Sequence, residues 1–132
     1  MQMTIVNPPT LAKPSGYSHG VIAAGGRTLY LAGQPGIDAS GKVAAPGDLV
    51  AQFHQALSNM QTVVEAAGGS MGCIAKLTFF VVDKDAYKAL LKPLGEEFRA
   101  FFQGHYPATT LVEVRDLFDE HALIEIEGIA AL

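Results

Sequence analysis

Apolar positions along the chain switch between two periods, and the switches mark out the elements. Over residues 106–130 the period is two. Thr110, Val112 and Val114 alternate with Thr109, Leu111 and Glu113, and later Leu123, Glu125, Glu127 and Ile129 alternate with Ile124 and Ile126. With the polar run 116–121 between them, these segments predict the two strands of a hairpin. Glu125 and Glu127 share one face of the second strand. Carboxylates are rarely buried without a partner, so that face is either solvated or a site.

The same period predicts a short strand near residues 3–6, before Pro8, Pro9 and Pro14 forbid regular structure. Residues 17–24 (YSHGVIAA) and 28–32 (TLYLA) flank Gly25-Gly26-Arg27, which predicts a second hairpin. Gly33-Gln34-Pro35-Gly36 then breaks that strand, and residues 38–41 (DASG) form a turn. Residues 74–82 (IAKLTFFVV) are apolar on both faces beyond Lys76, as expected of an interior strand covered on both sides.

Elsewhere the spacing changes to three and four. Leu49, Phe53, Ala56, Leu57, Met60, Val63, Val64 and Ala67 form one stripe, with Asp48 placed to cap the helix and Gly68-Gly69 to end it. A second stripe runs from Tyr87 through Leu90, Leu91, Leu94, Phe98 and Phe101 to Phe102, beginning at Asp83 or Asp85. Pro93 lies inside it and predicts a kink, or a restart with Pro93 in the first turn. The order β-β-β-α-β-α-β-β describes one α+β domain over residues 1–132, a mixed sheet with two helices on one face.

Composition narrows the function classes. Of 132 residues, 49% are hydrophobic and 17% charged, more apolar material than one core needs, which hints at cover by another subunit. The net charge of −4, without a Lys/Arg cluster, makes a nucleic-acid face unexpected. Cys73 is the only cysteine, no run is long enough to span a membrane, and the first residues lack the pattern of a signal peptide. A protein of the reducing cytoplasm is expected.

Motifs for chemistry are sparse. His19, His54, His105 and His121 lie at no metal-ligand spacing, and His54, opposite the first stripe, is expected in solvent. Residues 33–36 lack the length and the lysine of a phosphate loop, and no serine sits in a nucleophile elbow. Cys73, opening an apolar strand, reads as structural.

Six strings in order carry a resemblance: GYSHGV, LYLAGQPGID with the following Gly41, NMQTVVEAAG, AKLTFFVVD, YPATTLVEV and IEIEGIA. Together they resemble the Rid family of reactive intermediate deaminases, also called the YjgF or L-PSP family. The resemblance implies a chorismate-mutase-like fold, assembled as a homotrimer whose three sheets form a central barrel with ligand clefts between subunits. It implies hydrolysis of enamines and imines such as 2-aminoacrylate and 2-iminobutanoate to 2-keto acids and ammonia, with no metal or cofactor.

By that resemblance Tyr17 lines the cleft, Gly33 lies in the turn after the third strand, and Glu125 orients the water. The position that holds a carboxylate-binding arginine in deaminating members is Thr109 here, and Leu111 stands where a small cysteine is common. A hydroxyl cannot replace a charge-assisted bidentate clamp. The chain therefore resembles subgroups lacking the arginine, with His19 also available and with Arg27 or Arg115 as candidate substitute cations. Glu127 reads as a structural partner. Two readings remain: an imine or enamine deaminase or related hydrolase, and a non-catalytic trimeric binder of small metabolites. The family's other label, an endoribonuclease that inhibits translation, fits the acidic composition poorly.

Overall fold

The β-branched residues of Gln2–Val6 (β1) pair antiparallel with Gly20–Ala24 (β2), forming a two-stranded ribbon. This computed structural model describes residues 2–132. The hairpin expected from residues 17–24 and 28–32 does not form: Thr28–Pro35 (β3) leaves β2 and enters a different sheet. The glycines between them serve another purpose. A Cβ on Gly25 would lie 2.6 Å from the Leu132 carbonyl oxygen, and the Leu132 amide donates to the Arg27 carbonyl at 2.9 Å. The turn is thus packed on Leu132, and its bare backbone permits the contact.

Four strands make the main sheet, in the order β3-β6-β4-β5, where β4 is Ile74–Val81, β5 Ala108–Glu113 and β6 Ile124–Ala131. The hairpin expected from residues 106–130 is therefore also corrected. β5 runs parallel to β4, whereas β6 is antiparallel to both β3 and β4. Burial explains the exchange. Ile124, Ile126, Gly128 and Ala130 of β6 are buried, but β5 has no fully buried residue. The strand with the more apolar inward face takes the interior place, and β5 remains at the edge. Residues 33–35 do not end β3; they extend it past a register shift between Leu31 and Gln34.

All three helices pack on one face. Helix α1, Leu49–Ala66, starts where the Asp48 carboxylate accepts from the Ala51 amide at 3.0 Å. It ends at Gly68, with φ of +91°, beside the Gly69 amide donating to the Val64 carbonyl. Leu49, Phe53, Ala56, Leu57, Met60 and Val64 are buried, while Val63 falls at the stripe's margin and is exposed. The second stripe is two helices, α2 (Lys84–Ala89) and α3 (Leu91–Phe102), separated at Leu90. Asp83 caps α2 through the amides of Asp85 and Ala86, and Pro93 occupies the first turn of α3, where its missing N–H costs nothing. Leu94, Phe98 and Phe102 are the buried side of α3, each worth about 1.5–3 kcal/mol on burial.

Because the helices cover one face only, a single chain encloses β4 on one side of the sheet, not on both as its composition suggested. Ile74, Leu77, Phe79 and Val81 are buried, whereas Lys76, Thr78 and Phe80 on the other face are only half-buried. Cys73 ends a single 3-10 turn, Met71–Cys73, just before β4, and is buried.

Candidate active site

Tyr17 and Thr109 are remote in sequence and are brought together by Ser18. Its hydroxyl donates to the Tyr106 carbonyl at 2.6 Å and its amide to the Pro107 carbonyl at 3.2 Å. Ser18 is buried, so these bonds are shielded from water. They set Tyr17 at the mouth of a cavity of about 680 Å3 that Thr109 and Leu111 also line. Register explains the placement: Thr109 lies beside Leu77 and Leu111 beside Phe79, so both point to the helix-bearing face. Phe53, Phe79, Tyr87, Leu94 and Phe98 make the apolar wall. Burial pushes the Tyr87 phenol up to about 12, so it keeps its proton. The Thr109 hydroxyl donates to the Pro107 carbonyl at 3.0 Å.

Glu125 lies on the opposite face. It pairs with Phe80 in register, as Glu127 does with Thr78, and both carboxylates point away from the helices. A Cβ on Gly33 would lie 2.7 Å from Glu125 Oε2, so the carboxylate rests against bare backbone at the β3 bulge. Burial holds the Glu125 carboxyl above its ordinary value, with the charges of Asp119 and Glu127 adding to the effect. No Lys, Arg or His forms an ion pair with it among the described residues. Glu127 is exposed and forms no ion pair there; its bearing on the site is the charge it presents to Glu125.

The candidate residues therefore form two groups. Tyr17, Thr109 and Leu111 share the cavity, Gly33 and Glu125 share the other face, and the sheet stands between them. His19 belongs to neither group. Its ring nitrogen meets the Ala12 carbonyl at 2.7 Å, its amide donates to Asn7 Oδ1 at 2.7 Å, and its ring stands edge-on to Tyr17 at 5.4 Å. It holds the proline-rich segment against Tyr17. That segment walls a second cavity of about 670 Å3, which touches Tyr17 and Tyr106 but none of the strand-borne candidates. Arg27 and Arg115 are exposed and line neither cavity. The cation in the cavity wall is Arg99, one residue past Phe98 at the edge of the α3 stripe. Its helical spacing from Leu91 and Gly95 was the available signal. Among the described residues no group of three His, Cys, Asp or Glu side chains could hold a metal ion, and no helix is long and apolar enough to cross a membrane.

Residues 9–132 match the family described as Endoribonuclease L-PSP. The chain belongs to this family, also known as the Rid or YjgF family. A 2-iminobutanoate/2-iminopropanoate deaminase of Dermatophagoides farinae is 32% identical over 97% of this chain and 95% of its own length. The Mus musculus protein of the same name is 33% identical over 79% and 73%. Among solved structures, the Rid family protein YyfB from Yersinia pestis, described as of unknown function, superposes with a TM-score of 0.89 at 35% identity, covering 100% of both chains. The YjgF gene product of E. coli gives 0.68 at 36% identity, over 95% of this chain and 93% of that one. These likenesses agree with the α+β fold and the family resemblance drawn from the six strings.

Proposed function

We propose that this protein is a RidA-like deaminase that hydrolyses small imines and enamines, in a cleft completed by a second copy of the chain. The observation that carries the proposal is Glu125: a carboxylate with a raised proton affinity, set against the bare backbone of Gly33 on the sheet face turned away from the helices. Such a group is tuned toward general-base work nearer neutrality. The names of the curated relatives supply the reaction class.

The protonated imine is already electrophilic, so the chemistry needs no metal. Glu125 takes a proton from water as the water oxygen bonds to the imine carbon, giving a carbinolamine. Glu125 passes that proton to the amino nitrogen, then takes the hydroxyl proton as the C–N bond breaks and the C=O double bond forms, and the keto compound and ammonium leave with Glu125 ionised again. Tyr17, Thr109 and Leu111 line the cavity that holds the rest of the molecule. Since the sheet separates these residues from Glu125 within one chain, a closed assembly in which one copy lends Glu125 and its neighbour lends the cavity satisfies the geometry, and a homotrimer is the proposed form.

The test is hydrolysis of freshly generated 2-iminobutanoate by the native protein, Glu125→Ala and Thr109→Arg. Native turnover that disappears in Glu125→Ala supports the deaminase. Activity gained only in Thr109→Arg means that the water-positioning group is intact and the natural substrate is different. Silence in all three favours a non-catalytic metabolite binder, the reading suggested by a threonine whose hydroxyl is already committed to Pro107. A ribonuclease is disfavoured by the net charge of −4.

A further inference from the structure

We infer that the cavity selects organic acids with a bulky apolar, preferably aromatic, side chain, and that Arg99 binds their carboxylate. The inference rests on the deaminase reading only for what happens to the ligand after it binds. Arg99 is the one charged side chain in the described wall of this cavity, and it forms no ion pair among the described residues. Gly95, one turn earlier on α3, leaves room for it: a Cβ there would lie 3.1 Å from Arg99 Nη1. The guanidinium thus lies back along the helix over Gly95, which lines the same cavity. A planar guanidinium at an apolar rim suits a carboxylate, which it can take in two parallel hydrogen bonds.

The rest of the cavity is too large and too greasy for a short chain. About 680 Å3 is in the range of pockets that enclose drug-sized ligands, and a short imino acid would leave most of it filled with water. Phe53, Phe79 and Tyr87 already meet one another as tilted and edge-to-face pairs, with centroids 5.7–6.5 Å apart. Phe98 and Tyr106 are stacked at 5.8 Å on the other side. An aromatic ring entering between these groups extends an arrangement already present. The protonated Tyr87 phenol forms no hydrogen bond to protein among the described residues, which leaves a donor for a polar atom of the ligand.

Phenylpyruvate, a stable aromatic keto acid, is the probe, compared with 2-oxobutanoate. Titration calorimetry is run on the native protein, Arg99→Gln, Arg99→Lys and Glu125→Ala, alongside turnover of the imine released from phenylalanine by an amino-acid oxidase. The native protein is expected to bind phenylpyruvate at least tenfold more tightly than 2-oxobutanoate. Arg99→Gln should lose tenfold or more of that affinity, Arg99→Lys should recover part of it, and Glu125→Ala should bind but not turn over. Arg99 is exposed, so unchanged melting curves will establish that its variants fold. Equal affinity for the two acids, or native affinity in Arg99→Gln, overturns the inference. Arg99-dependent binding without any turnover overturns the deaminase reading and leaves this one standing. Turnover indifferent to Arg99 does the reverse.

Discussion

At the scale of single residues, Glu125 is surrounded by reasons not to ionise: partial burial, Asp119 and Glu127. Its folded state therefore binds a proton more readily than the unfolded chain does. The sign of the linkage follows: the native protein loses stability as pH rises from the ordinary carboxylate range through the raised value. Glu125→Gln, which cannot ionise, should be more stable than the native protein at pH 7.5 and equal to it at acid pH. The gain should stay below about 1 kcal/mol because solvent screens the group. Thermal melts at the two pH values check this, and a variant less stable at pH 7.5 would show that the carboxylate has a stabilising partner. Ser18 makes the opposite case, a small polar group whose worth lies in its bonds. Ser18→Ala should cost about 1 kcal/mol in urea unfolding and raise KM with little change in kcat, since it frees Tyr17. Glu125 was legible in the sequence because a carboxylate on an apolar strand is conspicuous. Ser18 was not, since nothing local tells which distant carbonyl a hydroxyl will meet.

At the scale of elements, helices were read more accurately than strand pairings. The cap at Asp48, the glycine stop at Gly68 and the restart around Pro93 all depend on residues within a turn of one another. Asp48→Ala should accordingly destabilise by about 1 kcal/mol. Gln52 marks the limit of such reading. By spacing it flanks the stripe as an ordinary polar residue, yet it is buried. Its amide donates to the carbonyls of Ala45 and His121 at 2.9 and 3.1 Å, and its oxygen accepts from the Leu123 amide at 2.8 Å. It thereby ties α1 to the connection that leads into β6. Gly36 packs so closely on it that a Cβ would lie 2.7 Å from the Gln52 backbone. Gln52→Ala would strand all three backbone groups, and a loss of about 1–3 kcal/mol is expected in denaturant titration. A neutral outcome would mean that water replaces the amide.

At the scale of the whole molecule, the sheet face turned away from the helices is the main consequence of the fold. Tyr30 is 76% exposed, and Ile129 and Val112 are each 38% exposed on the face that also carries half-buried Phe80. A face of that character is suited to burial between subunits, and under the proposed trimer Tyr30→Lys should shift sedimentation toward monomer. If the site is shared between copies, two defects on different halves should complement. Glu125→Ala removes the proposed base and Leu111→Arg fills the cavity, so each variant alone should be inactive. Under the proposed trimer, random co-assembly at equal expression should restore about a quarter of the native sites overall, one in each mixed trimer, where both intact halves meet. Mixed trimers that remain inactive would place both halves of the site within one chain.

The amino-acid sequence by itself determined the two helical stripes, the cap at Asp48, the stop at Gly68, the alternation of the strands and the family, because each of these is written in residues close together or in strings kept in order. Which strands pair was decided only by the tertiary structure. Both expected hairpins were sensible local solutions, but β6 buries more apolar surface between β3 and β4 than beside β5, and β2 has β1 as its partner. The same competition settled the cavity. Arg27 and Arg115 are cations in turns, as Arg99 is a cation on a helix, and only the packing of α3 on α1 puts Arg99 in the wall of the cavity that Thr109 and Leu111 also line.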